Sequence, residues 1–479
     1  MGRFKKAVCV VNLVNLKDKE DDMIYDIAII GAGPGGYVAA IRAAQLGAKV
    51  ALIEKEEVGG VCLNKGCIPS KAVITSVDRY IAAKNLSKFG IKADNIGYDY
   101  AEIFARKEKT VQKLARGLGQ LIKANNIDLL RGNATIQSAD SLKIVSQTGN
   151  QEIQFKNLII ATGSRPISLP NAEIDHSFVL DTDDILRLET LPESVLVVGS
   201  GASGIEWSRI FSGLDKKVAV VEIAPHLAPM FDISISEAIE KTFKRKKIDF
   251  YTSTKVEKIE NKKVSLSNGV ELTPDIVFLA AGRAPNTEIE GIERLNLEMS
   301  GRFFKVDNNL RTSASNVYAI GDVTGLFPVA HVASHQAIKA VEHILLNKEA
   351  DINYLNVPSV IYGHPEAAGV GYTENQLIEK GIPHQKSVFP IAAIGRAVVE
   401  EEIEGFIKIL ANDEEILGAH VFSQNGAELI QQIVIAKSSG VSPEKLKDVI
   451  FSHPTLSEAV HESILGVFGE ALHIPPVKK

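Results

Sequence analysis

Two stretches of the chain share one pattern of apolar runs, glycines and a closing acid. In the first, the apolar run Tyr25–Ile30 is typical of a buried parallel strand, and the glycine-rich segment 31–36 follows it directly. A helix-like segment up to Leu46 and a second apolar run, Lys49–Ile53, come next, and this run closes on Glu54. The order of strand, turn, helix, strand and acid predicts a unit that binds a dinucleotide.

The three glycines of the first turn have distinct predicted tasks. Gly31 makes the tight turn, Gly33 lets the backbone approach a pyrophosphate, and Gly36 lets the helix pack on the strand. The helix N-terminus attracts phosphate groups, and Glu54 can accept hydrogen bonds from ribose hydroxyls. The alternative is a tight turn between a strand and a helix that binds no ligand.

The second stretch repeats this pattern and therefore predicts a second dinucleotide. Val195–Val198 leads into a glycine-rich turn and a helix-like segment, and Val218–Val221 then ends on Glu222. The glycines of this turn are Gly199, Gly201 and Gly204. A carboxylate at position 222 accepts hydrogen bonds from both ribose hydroxyls and repels a 2′-phosphate, so we expect NAD rather than NADP.

Cys62 and Cys67 follow the first unit, in the segment GGVCLNKGCIPSK. In a regular helix, five steps of about 1.5 Å would separate their Cα atoms by roughly 7.5 Å, which exceeds the usual reach of a disulfide. A bond between them therefore needs irregular backbone, which Gly66 and Pro69 can supply. Such a small loop adds little stability and is typical of a labile or catalytic disulfide, and the alternative is two unrelated buried thiols. A redox disulfide beside a dinucleotide turn favours a flavin.

Further along the chain the patterns are weaker. We expect one strand over Leu129–Ile136, and a turn after each of the apolar runs Leu158–Ile160 and Ile276–Ala280. Val317–Ile320 is a strand that leads into Gly321 and Asp322, and this aspartate can serve a cofactor or simply a turn. The clearest helical segments here are Ile103–Lys123 and His331–Leu346.

Near the C-terminus, His453 precedes Glu458 by five residues. The carboxylate could bond one imidazole nitrogen and leave the other facing a thiol. Because only a thiolate attacks sulfur, a reaction between a dithiol and a disulfide needs such a base. The alternative is a structural or solvated histidine.

Composition excludes several classes of protein. The 479 residues carry a formal net charge of −6 and no long basic block, which argues against nucleic acid as a partner. Three cysteines are too few for a secreted disulfide scaffold, and one catalytic dithiol fits a reducing cytoplasm. The apolar run Ala7–Leu16 is too short to span a membrane, so residues 1–22 are expected to be a loose extension or the product of an upstream start codon before Met23, with Cys9 as a spare thiol.

Taken together, these motifs resemble those of the flavin disulfide reductases, and within that family the dihydrolipoamide dehydrogenases. The resemblance runs from about Met23 to Ala471. The motifs that carry it are GGxCLNxGCIPSK, the two GxGxxG turns, YAIGD, AHxASH and HPTLSE. Two positions depart from the family pattern: Val61 stands where threonine is usual, and Phe451-Ser452 stands where His-Ala is common.

The resemblance implies an α/β fold with two Rossmann-like dinucleotide-binding domains, for FAD and NAD, and a C-terminal α+β dimerisation domain. The expected segments are the extension 1–22, the FAD-binding domain in two parts, 23–165 and 286–352, the NAD-binding domain 166–285 and the dimerisation domain 353–479. The implied FAD-binding residues are Gly31, Gly33, Gly36, Glu54, Lys71, Ala134, Thr162, Gly163, Ser164, Asp322, Pro328, Val329, Ala330 and His331. The implied NAD-binding residues are Gly199, Gly201, Gly204, Glu206, Glu222 and Gly282, and no metal is expected.

The resemblance also implies roles in the oxidation of dihydrolipoyl groups. Cys62 would exchange with the substrate and Cys67 would pack against the flavin. Lys71 would pair with Glu206 near the reactive nitrogen of the flavin. His453, oriented by Glu458, would be the base for the disulfide of the other subunit, which makes a homodimer obligatory.

The implied partner is a lipoyl domain on a separate protein, either the acyltransferase subunit of a 2-oxo acid dehydrogenase complex or the H protein of the glycine cleavage system. Three alternatives stay open. Glutathione reductase usually has basic residues where Glu222 stands, and mercuric reductase usually ends in two adjacent cysteines, which this chain lacks. The third alternative is a flavoprotein that serves as a binding subunit with an idle redox site.

Overall fold

A computed structural model describes residues 24–147 and 149–475. The predicted N-terminal extension, Met23 and Cys9 lie outside these residues. The helices, numbered along the chain, are α1 Pro34–Gln45, α2 Gly60–Lys65, α3 Cys67–Lys84, α4 Tyr100–Ala124, α5 Thr182–Ile185, α6 Ala202–Gly213, α7 Ile233–Arg245, α8 Ala330–Leu346, α9 Glu374–Glu379, α10 Gly395–Val399, α11 Gly426–Ser438, α12 Pro443–Lys447 and α13 Glu458–Val467.

The strands are numbered in the same way. They are β1 Ile24–Ile30, β2 Val50–Glu54, β3 Asp128–Arg131, β4 Asn133–Ser138, β5 Ser141–Ser146, β6 Gly149–Ile160, β7 Ser164–Pro166, β8 Val179–Leu180, β9 Ser194–Val198, β10 Lys217–Val221, β11 Asp249–Tyr251, β12 Val256–Glu260, β13 Lys263–Leu266, β14 Glu271–Leu272, β15 Ile276–Leu279, β16 Arg283–Pro285, β17 Met299–Ser300, β18 Phe303–Phe304, β19 Val317–Ala319, β20 Ser359–Ile361, β21 Glu366–Gly371, β22 Gln385–Pro390, β23 Phe406–Ala411 and β24 Ile416–Ser423.

The chain forms two compact units, each built from several segments. The first comprises the described residues up to Gly60 together with Ala115–Gly163 and Pro285–Asp351. The second comprises Val61–Leu114, Ser164–Ala284 and the described residues from Ile352 onward. The domain boundaries expected from the sequence stay predictions.

The first unit is organised around one large sheet. Its strand order is β3-β2-β1-β6-β5-β4, and β19 also pairs with β6. The central strands β2, β1, β6 and β19 run parallel, so Ile53, Ile30, Ile160 and Ala319 lie in register at one edge. All residues of β2 are buried, as expected for a parallel strand that is covered on both faces.

The two long helices of this unit pack closely against each other. A Cβ atom placed on Gly35 of α1 would lie 3.6 Å from the Cβ of Ala333 on α8 and 3.2 Å from a methyl group of Ile320. Arg42 and Glu342 form an ion pair between the same helices. The start of α1, and with it the glycine turn, is therefore fixed against the end of the sheet.

The second unit contains a parallel sheet and an antiparallel sheet. The parallel sheet has the order β11-β10-β9-β15-β8, with Val221, Val198 and Leu279 in register at its carboxyl edge. The antiparallel sheet has the order β20-β21-β24-β23-β22, and α11 and α13 pack on it. Two Rossmann-like sheets and an α+β C-terminal part confirm the predicted fold class.

One predicted strand is interrupted in the structure. The sequence over Leu129–Ile136 predicts a single strand, but β3 ends at Arg131 and β4 begins at Asn133. Gly132, between them, has φ = +150°, and a Cβ there would lie 2.6 Å from the carbonyl oxygen of Val145. The close approach of this backbone separates the two strands. Within residues 24–147 and 149–475, no helix is both long enough and apolar enough to cross a membrane.

Candidate active site

The glycine turn of the first unit is tight on its inner side and open on its outer side. Gly31 has φ = +99°, and a Cβ there would lie 2.4 Å from the carbonyl oxygen of Ala161. A Cβ on Gly36 would lie 1.7 Å from the carbonyl oxygen of Gly31, so a larger residue cannot fit. A Cβ placed on Gly33, which precedes α1, would have only the Cα of Gly60 within 4 Å, at 3.9 Å. The outer side therefore leaves room for a ligand at the start of the helix, as a bound pyrophosphate requires.

The turn of the second unit has nearly the same geometry. Gly199 has φ = +101°, and a Cβ on Gly204 would lie 2.0 Å from the carbonyl oxygen of Gly199. Gly201 has φ = −68° and ψ = −172°, close to the −71° and −173° of Gly33. No atom lies within 4 Å of a Cβ placed on Gly201. The predicted repeat is therefore present in the backbone, with the same open side for phosphate.

The acid that closes each unit is buried and points back to its glycine turn. Glu54 accepts hydrogen bonds from the backbone N–H groups of Ala32, at 2.7 Å, and Glu56, at 2.7 Å. Each carboxylate oxygen keeps a further lone pair, because one N–H group occupies only one of its acceptor positions. The carboxylate is thus held in place and can still accept a ribose hydroxyl.

Glu222 is held in the same way with one addition. One of its oxygens accepts from the backbone N–H and the hydroxyl of Ser200, at 2.8 and 2.6 Å, and the other accepts from the N–H of Ala224, at 2.8 Å. Ser200 lies inside the glycine turn and is fully buried. The serine was not expected to matter, since the fingerprint leaves its position free. It fixes the carboxylate beside the turn.

At the carboxyl edge of the first sheet, Thr162 and Gly163 follow β6. The Thr162 hydroxyl donates to the carbonyl oxygen of Asn286, at 2.6 Å, and the Asn286 amide donates to the carbonyl oxygen of Thr162, at 2.8 Å. The backbone N–H of Asn286 donates to the carbonyl oxygen of Gly163 at 2.9 Å. Asn286 therefore fixes this turn, and no local sequence signal connects it with a residue more than a hundred positions earlier.

The other residues expected to hold FAD in this unit lie at three places. Asp322 belongs to a short turn after β19, where the N–H of Gly321 donates to the side chain of Gln336 at 2.7 Å. Pro328 and Val329 directly precede α8, and Ala330 and His331 are its first two residues. Ala134 lies on β4 opposite Ile144, two residues after Gly132, whose N–H donates to the carbonyl oxygen of Glu54 at 3.0 Å. Glu54, the glycine turn, Thr162 and Asp322 thus share the carboxyl edge of one parallel sheet, where open α/β sheets bind ligands.

Arg283 contacts one expected cofactor residue of the second unit, Ser164, and directly follows another, Gly282. Arg283 donates to the hydroxyl of Ser164 at 2.7 Å and to its carbonyl oxygen at 2.6 Å. Gly282 directly precedes this arginine and has φ = +123°. Arg283 was not expected from the sequence to be part of this region. Its contacts fix the segment that carries Ser164.

The two cysteines lie on consecutive helices, as irregular backbone allows. Helix α2 ends at Lys65 and α3 begins at Cys67, and Gly66 between them is not helical, with φ = −151° and ψ = −107°. Both cysteines are thiols in this structure. The thiol of Cys62 hydrogen-bonds the sulfur of Cys67. The predicted break in the helix thus brings the two sulfurs together.

The two thiols differ in acidity. The pKa of Cys67 is lowered to about 7 by the hydrogen bond from Cys62, against the effect of burial, and the positive charge of Lys71 lowers it further. The same hydrogen bond, together with burial, raises the pKa of Cys62. Cys67 is also the first residue of α3, and a helix N-terminus favours a thiolate. Of the two sulfurs, Cys67 is therefore the one that favours the thiolate.

Lys71, one turn further along α3, pairs with Glu206 on α6. The ammonium nitrogen lies 2.9 and 2.8 Å from the two carboxylate oxygens. Glu206 is almost fully buried, which raises its pKa, and the Lys71 ammonium and a hydrogen bond from the Tyr362 N–H act against this rise. The pair predicted from the sequence resemblance is therefore present as a direct contact.

A second ion pair joins the same two helices with the charges exchanged. Asp78 lies on α3, seven residues after Lys71, and contacts Arg209, which follows Glu206 by three residues on α6. The Arg209 side chain is only 6% exposed. The two pairs fix the redox helix against α6 at two points.

His453 and Glu458 form the hydrogen bond expected from their spacing. His453 Nδ1 lies 2.9 Å from Glu458 Oε1, and the N–H of Thr455 donates to Oε2 at 2.9 Å. Partial burial acts to raise the pKa of Glu458, but these hydrogen bonds outweigh it and the pKa lies below its ordinary value. The His453 side chain is 78% exposed, and among the described residues no contact joins it to Cys62 or Cys67 of its own chain.

The chain matches two family models. Residues 25–337 match the pyridine nucleotide-disulphide oxidoreductase family, and residues 357–464 match the dimerisation domain of the same family. Among curated relatives, a dihydrolipoyl dehydrogenase of Bacillus subtilis is 38% identical, with 94% of this chain and 99% of the relative covered. A dihydrolipoyl dehydrogenase of Chlamydia muridarum is 36% identical, with 95% and 99% covered.

Solved structures agree with these matches. LpdA from Mycobacterium tuberculosis is 25% identical, with a TM-score of 0.86 over 92% of this chain and 99% of that one. The HOCl-induced flavoprotein disulfide reductase RclA from Escherichia coli is 28% identical, with a TM-score of 0.82 over 92% and 99%. The resemblance seen in the sequence motifs is confirmed. The chain belongs to the pyridine nucleotide-disulphide oxidoreductase family.

Proposed function

We propose that this protein is a dihydrolipoyl dehydrogenase. It oxidises protein-bound dihydrolipoyl groups to lipoyl groups and reduces NAD⁺ to NADH, with release of one proton. It uses FAD and NAD, and it is a homodimer through its C-terminal dimerisation domain. The observation that carries the proposal is the pair of thiols at the break between α2 and α3, the second of them four residues before the lysine of the Lys71–Glu206 ion pair. Curated relatives that are 36% to 38% identical over nearly the whole chain support it.

The acidities of the two cysteines support a direction for the exchange. A substrate thiolate attacks the Cys62 sulfur of the disulfide, and Cys67 leaves as a thiolate. A thiol of low pKa is the better leaving group, and the pKa of Cys67 is about 7. The second substrate thiolate then attacks the substrate sulfur bonded to Cys62, which forms the lipoyl disulfide. Cys62 leaves and takes up a proton, because its pKa is raised.

His453 supplies the base that this exchange requires. A substrate thiol must lose its proton before it attacks sulfur. Glu458 holds Nδ1 of the imidazole, so Nε2 is the nitrogen that accepts the proton. The high exposure of His453 suits a role at the thiol pair of the partner subunit, which the family resemblance implies.

FAD, when bound, carries the two electrons of the dithiol on to NAD⁺. The open glycine turns and the buried acids Glu54 and Glu222 fit the two dinucleotides. The carboxylate of Glu222 selects NAD, since it would repel the 2′-phosphate of NADP.

We propose that the partner that presents the substrate is a lipoyl domain of an acyltransferase subunit or of a glycine cleavage H protein, because curated dihydrolipoyl dehydrogenases are 36% to 38% identical to this chain over nearly its whole length. A cytoplasmic location stays a prediction from the cysteine content.

The test is a panel of oxidants and reductants with the FAD-loaded dimer. Lipoamide, oxidised glutathione and Hg²⁺ are each assayed with NADH and with NADPH. We expect turnover of lipoamide with NADH to exceed every other pair. Preference for glutathione or Hg²⁺ with NADPH would assign the protein to a different reductase, and absence of turnover with all three would favour a binding subunit with an idle redox site.

A further inference from the structure

The Lys71 ammonium has an aromatic neighbour as well as its carboxylate partner. It lies 4.6 Å from the centroid of the Tyr362 ring, within the distance at which a ring face attracts a cation. A lysine side chain has several rotatable bonds, so more than one contact is needed to hold its ammonium in one place.

Tyr362 also holds the carboxylate of this pair. Its backbone N–H donates to Glu206 Oε1 at 3.1 Å. The tyrosine directly follows β20 of the antiparallel sheet, and α6 packs on that strand. One residue of the C-terminal sheet thus contacts both members of the Lys71–Glu206 pair, by its ring and by its backbone.

We propose that Tyr362 is a positioning residue for Lys71: its ring face and its backbone N–H together keep the ammonium beside the two thiols. This role deepens the proposed function and rests on it, because the thiols are the groups that turn over. Nothing in the motifs around Tyr362 points to it, since its two partners are distant in the chain.

A ring suits this task better than a second carboxylate would. The positive charge of Lys71 lowers the pKa of Cys67, whereas the negative charge of Glu206 raises it. A further acid beside Lys71 would hold the ammonium but would also disfavour the thiolate. An aromatic face attracts the ammonium through its quadrupole and carries no net charge. It therefore holds Lys71 without opposing the Cys67 thiolate.

The hydroxyl of Tyr362 has no part in this role. Burial and the negative charges of Glu366, Glu206, Glu428 and Cys67 raise its pKa, so the ring stays neutral at working pH. Tyr362→Phe keeps the ring face and the backbone N–H. Tyr362→Leu keeps the backbone N–H and removes the ring face, which separates the two contributions.

The test measures the pKa of Cys67 in the FAD-loaded dimer after anaerobic reduction with a phosphine. The long-wavelength charge-transfer absorbance between thiolate and flavin is followed against pH, and it reports the Cys67 thiolate because this sulfur packs against the flavin in the proposed arrangement. In Tyr362→Leu we expect the pKa of Cys67 to rise by up to about one unit, or about tenfold less thiolate well below that pKa, because the ammonium is held less firmly. Tyr362→Phe should keep the wild-type value. If the leucine variant does not fold, Tyr362→Met removes the ring with less change in volume.

Two further variants test whether the ring acts through Lys71. Lys71→Met should itself raise the pKa of Cys67, and adding Tyr362→Leu to it should change nothing more. Tyr80→Leu is the matched control: it removes a ring 4.9 Å from the Lys84 ammonium on the same helix α3. This control should leave the Cys67 pKa unchanged.

Three results would overturn the role of Tyr362. The first is an unchanged Cys67 pKa in Tyr362→Leu. The second is that adding Tyr362→Leu to Lys71→Met raises the Cys67 pKa as much as it does in the wild-type protein. The third is that Tyr80→Leu raises the Cys67 pKa as much as Tyr362→Leu does. The readout does not depend on lipoamide. A protein with the expected pKa pattern but without lipoamide turnover would contradict the proposed function and leave the role of Tyr362 standing.

Discussion

Cys62 and Cys67 share a hydrogen bond across the non-helical residue Gly66, and this contact favours the thiolate at Cys67 over the thiolate at Cys62. A pair of equal thiols could exchange with a substrate at either sulfur. The unequal pair favours attack at Cys62 and departure of Cys67. This asymmetry agrees with the division of labour that the family resemblance implies for the two cysteines.

The first prediction concerns both cysteines. Cys62→Ser and Cys67→Ser should each reduce lipoamide turnover to background and leave the FAD content normal, because each variant removes one half of the disulfide but none of the dinucleotide turn. Turnover is measured with NADH and lipoamide, and FAD by its visible absorbance. Cys9→Ser is the control, and it should keep full activity. Full turnover in either site variant would refute the exchange mechanism.

The second prediction concerns the base. His453→Gln should lower kcat by about 10²- to 10⁴-fold with normal FAD content, the range that a positioned base contributes. Glu458→Gln should lower kcat less, because Glu458 only orients the imidazole. His461→Gln changes a nearby histidine that bonds the carbonyl oxygen of Lys447 at 2.9 Å, and it should stay close to wild type. Unchanged rates in His453→Gln would exclude it as the base.

The third prediction separates the two glycines of the second turn. Gly204→Ala should destabilise the protein, because its Cβ would lie 2.0 Å from a carbonyl oxygen and α6 must shift. Gly201→Ala should keep the wild-type Tm but weaken NADH binding, since its Cβ enters the open side of the turn. Tm and the Kd for NADH are measured for both.

Gly97→Ala serves as the control for this pair. No atom lies within 4 Å of a Cβ at Gly97, and this residue is outside both turns, so Tm and NADH affinity should both stay unchanged. A Gly201→Ala protein that binds NADH as tightly as wild type would remove this turn from the proposed NAD site.

The fourth prediction concerns the choice of nicotinamide cofactor. Glu222→Gln should raise the KM for NAD⁺ by about 10- to 100-fold, because hydrogen bonds to a charged group contribute about 1.5–3 kcal/mol. The same change removes the repulsion of a 2′-phosphate, so the ratio of activity with NADP⁺ to that with NAD⁺ should rise. Glu54→Gln, the matched acid of the first unit, should instead lower FAD content. An unchanged cofactor ratio in Glu222→Gln would contradict the assignment.

The fifth prediction concerns stability against acid. Burial, with a smaller contribution from the nearby Lys408, lowers the pKa of His420 to about 4, although Asp232, Glu374 and the carbonyl oxygen of Tyr372 act in the opposite direction. In the unfolded chain a histidine has a pKa near 6.5, so as pH falls from about 6.5 to 4 the unfolded state binds a proton that the folded state does not. This difference of about 2.5 pKa units costs about 3 kcal/mol of unfolding free energy.

Urea unfolding between pH 7 and 4.5 checks this dependence. His420→Gln should flatten the loss of stability in this window. The pKa of Asp232 is also lowered, but the stability that this aspartate contributes is lost mostly below its unfolded pKa near 3.9, so Asp232 has little effect between pH 7 and 4.5. An equally steep loss in the variant would assign the acid sensitivity to other groups.

Local patterns were sufficient to predict the two dinucleotide units and the break between the cysteines. Runs such as Ile27–Ile30 are apolar because both faces of the sheet are covered. The glycines are required by close contacts inside the turn or with the end of the neighbouring strand in the sheet. A glycine between the two cysteines indicates irregular backbone, and this inference needs no information about the rest of the fold.

Residues that act through distant contacts could not be predicted in this way. Asn286, Arg283 and Tyr362 each contact partners more than a hundred positions away, so no spacing reveals them. Strand β21 was also missed, because its sequence EAAGVG is rich in alanine and glycine and has low strand propensity. It is a strand because its register with β24 is fixed by the sheet as a whole.

The dispersed construction of the first unit has a consequence for how the protein is made. Its glycine turn leaves the ribosome early, but β19, Asp322 and helix α8 of the same unit are synthesised only after most of the parallel sheet of the second unit. Until then β6 lacks its β19 neighbour and α1 lacks the helix that covers it. The proposed FAD site can therefore be completed only late in synthesis, and a chain that stops before α8 leaves α1 and the apolar strand β6 incompletely covered.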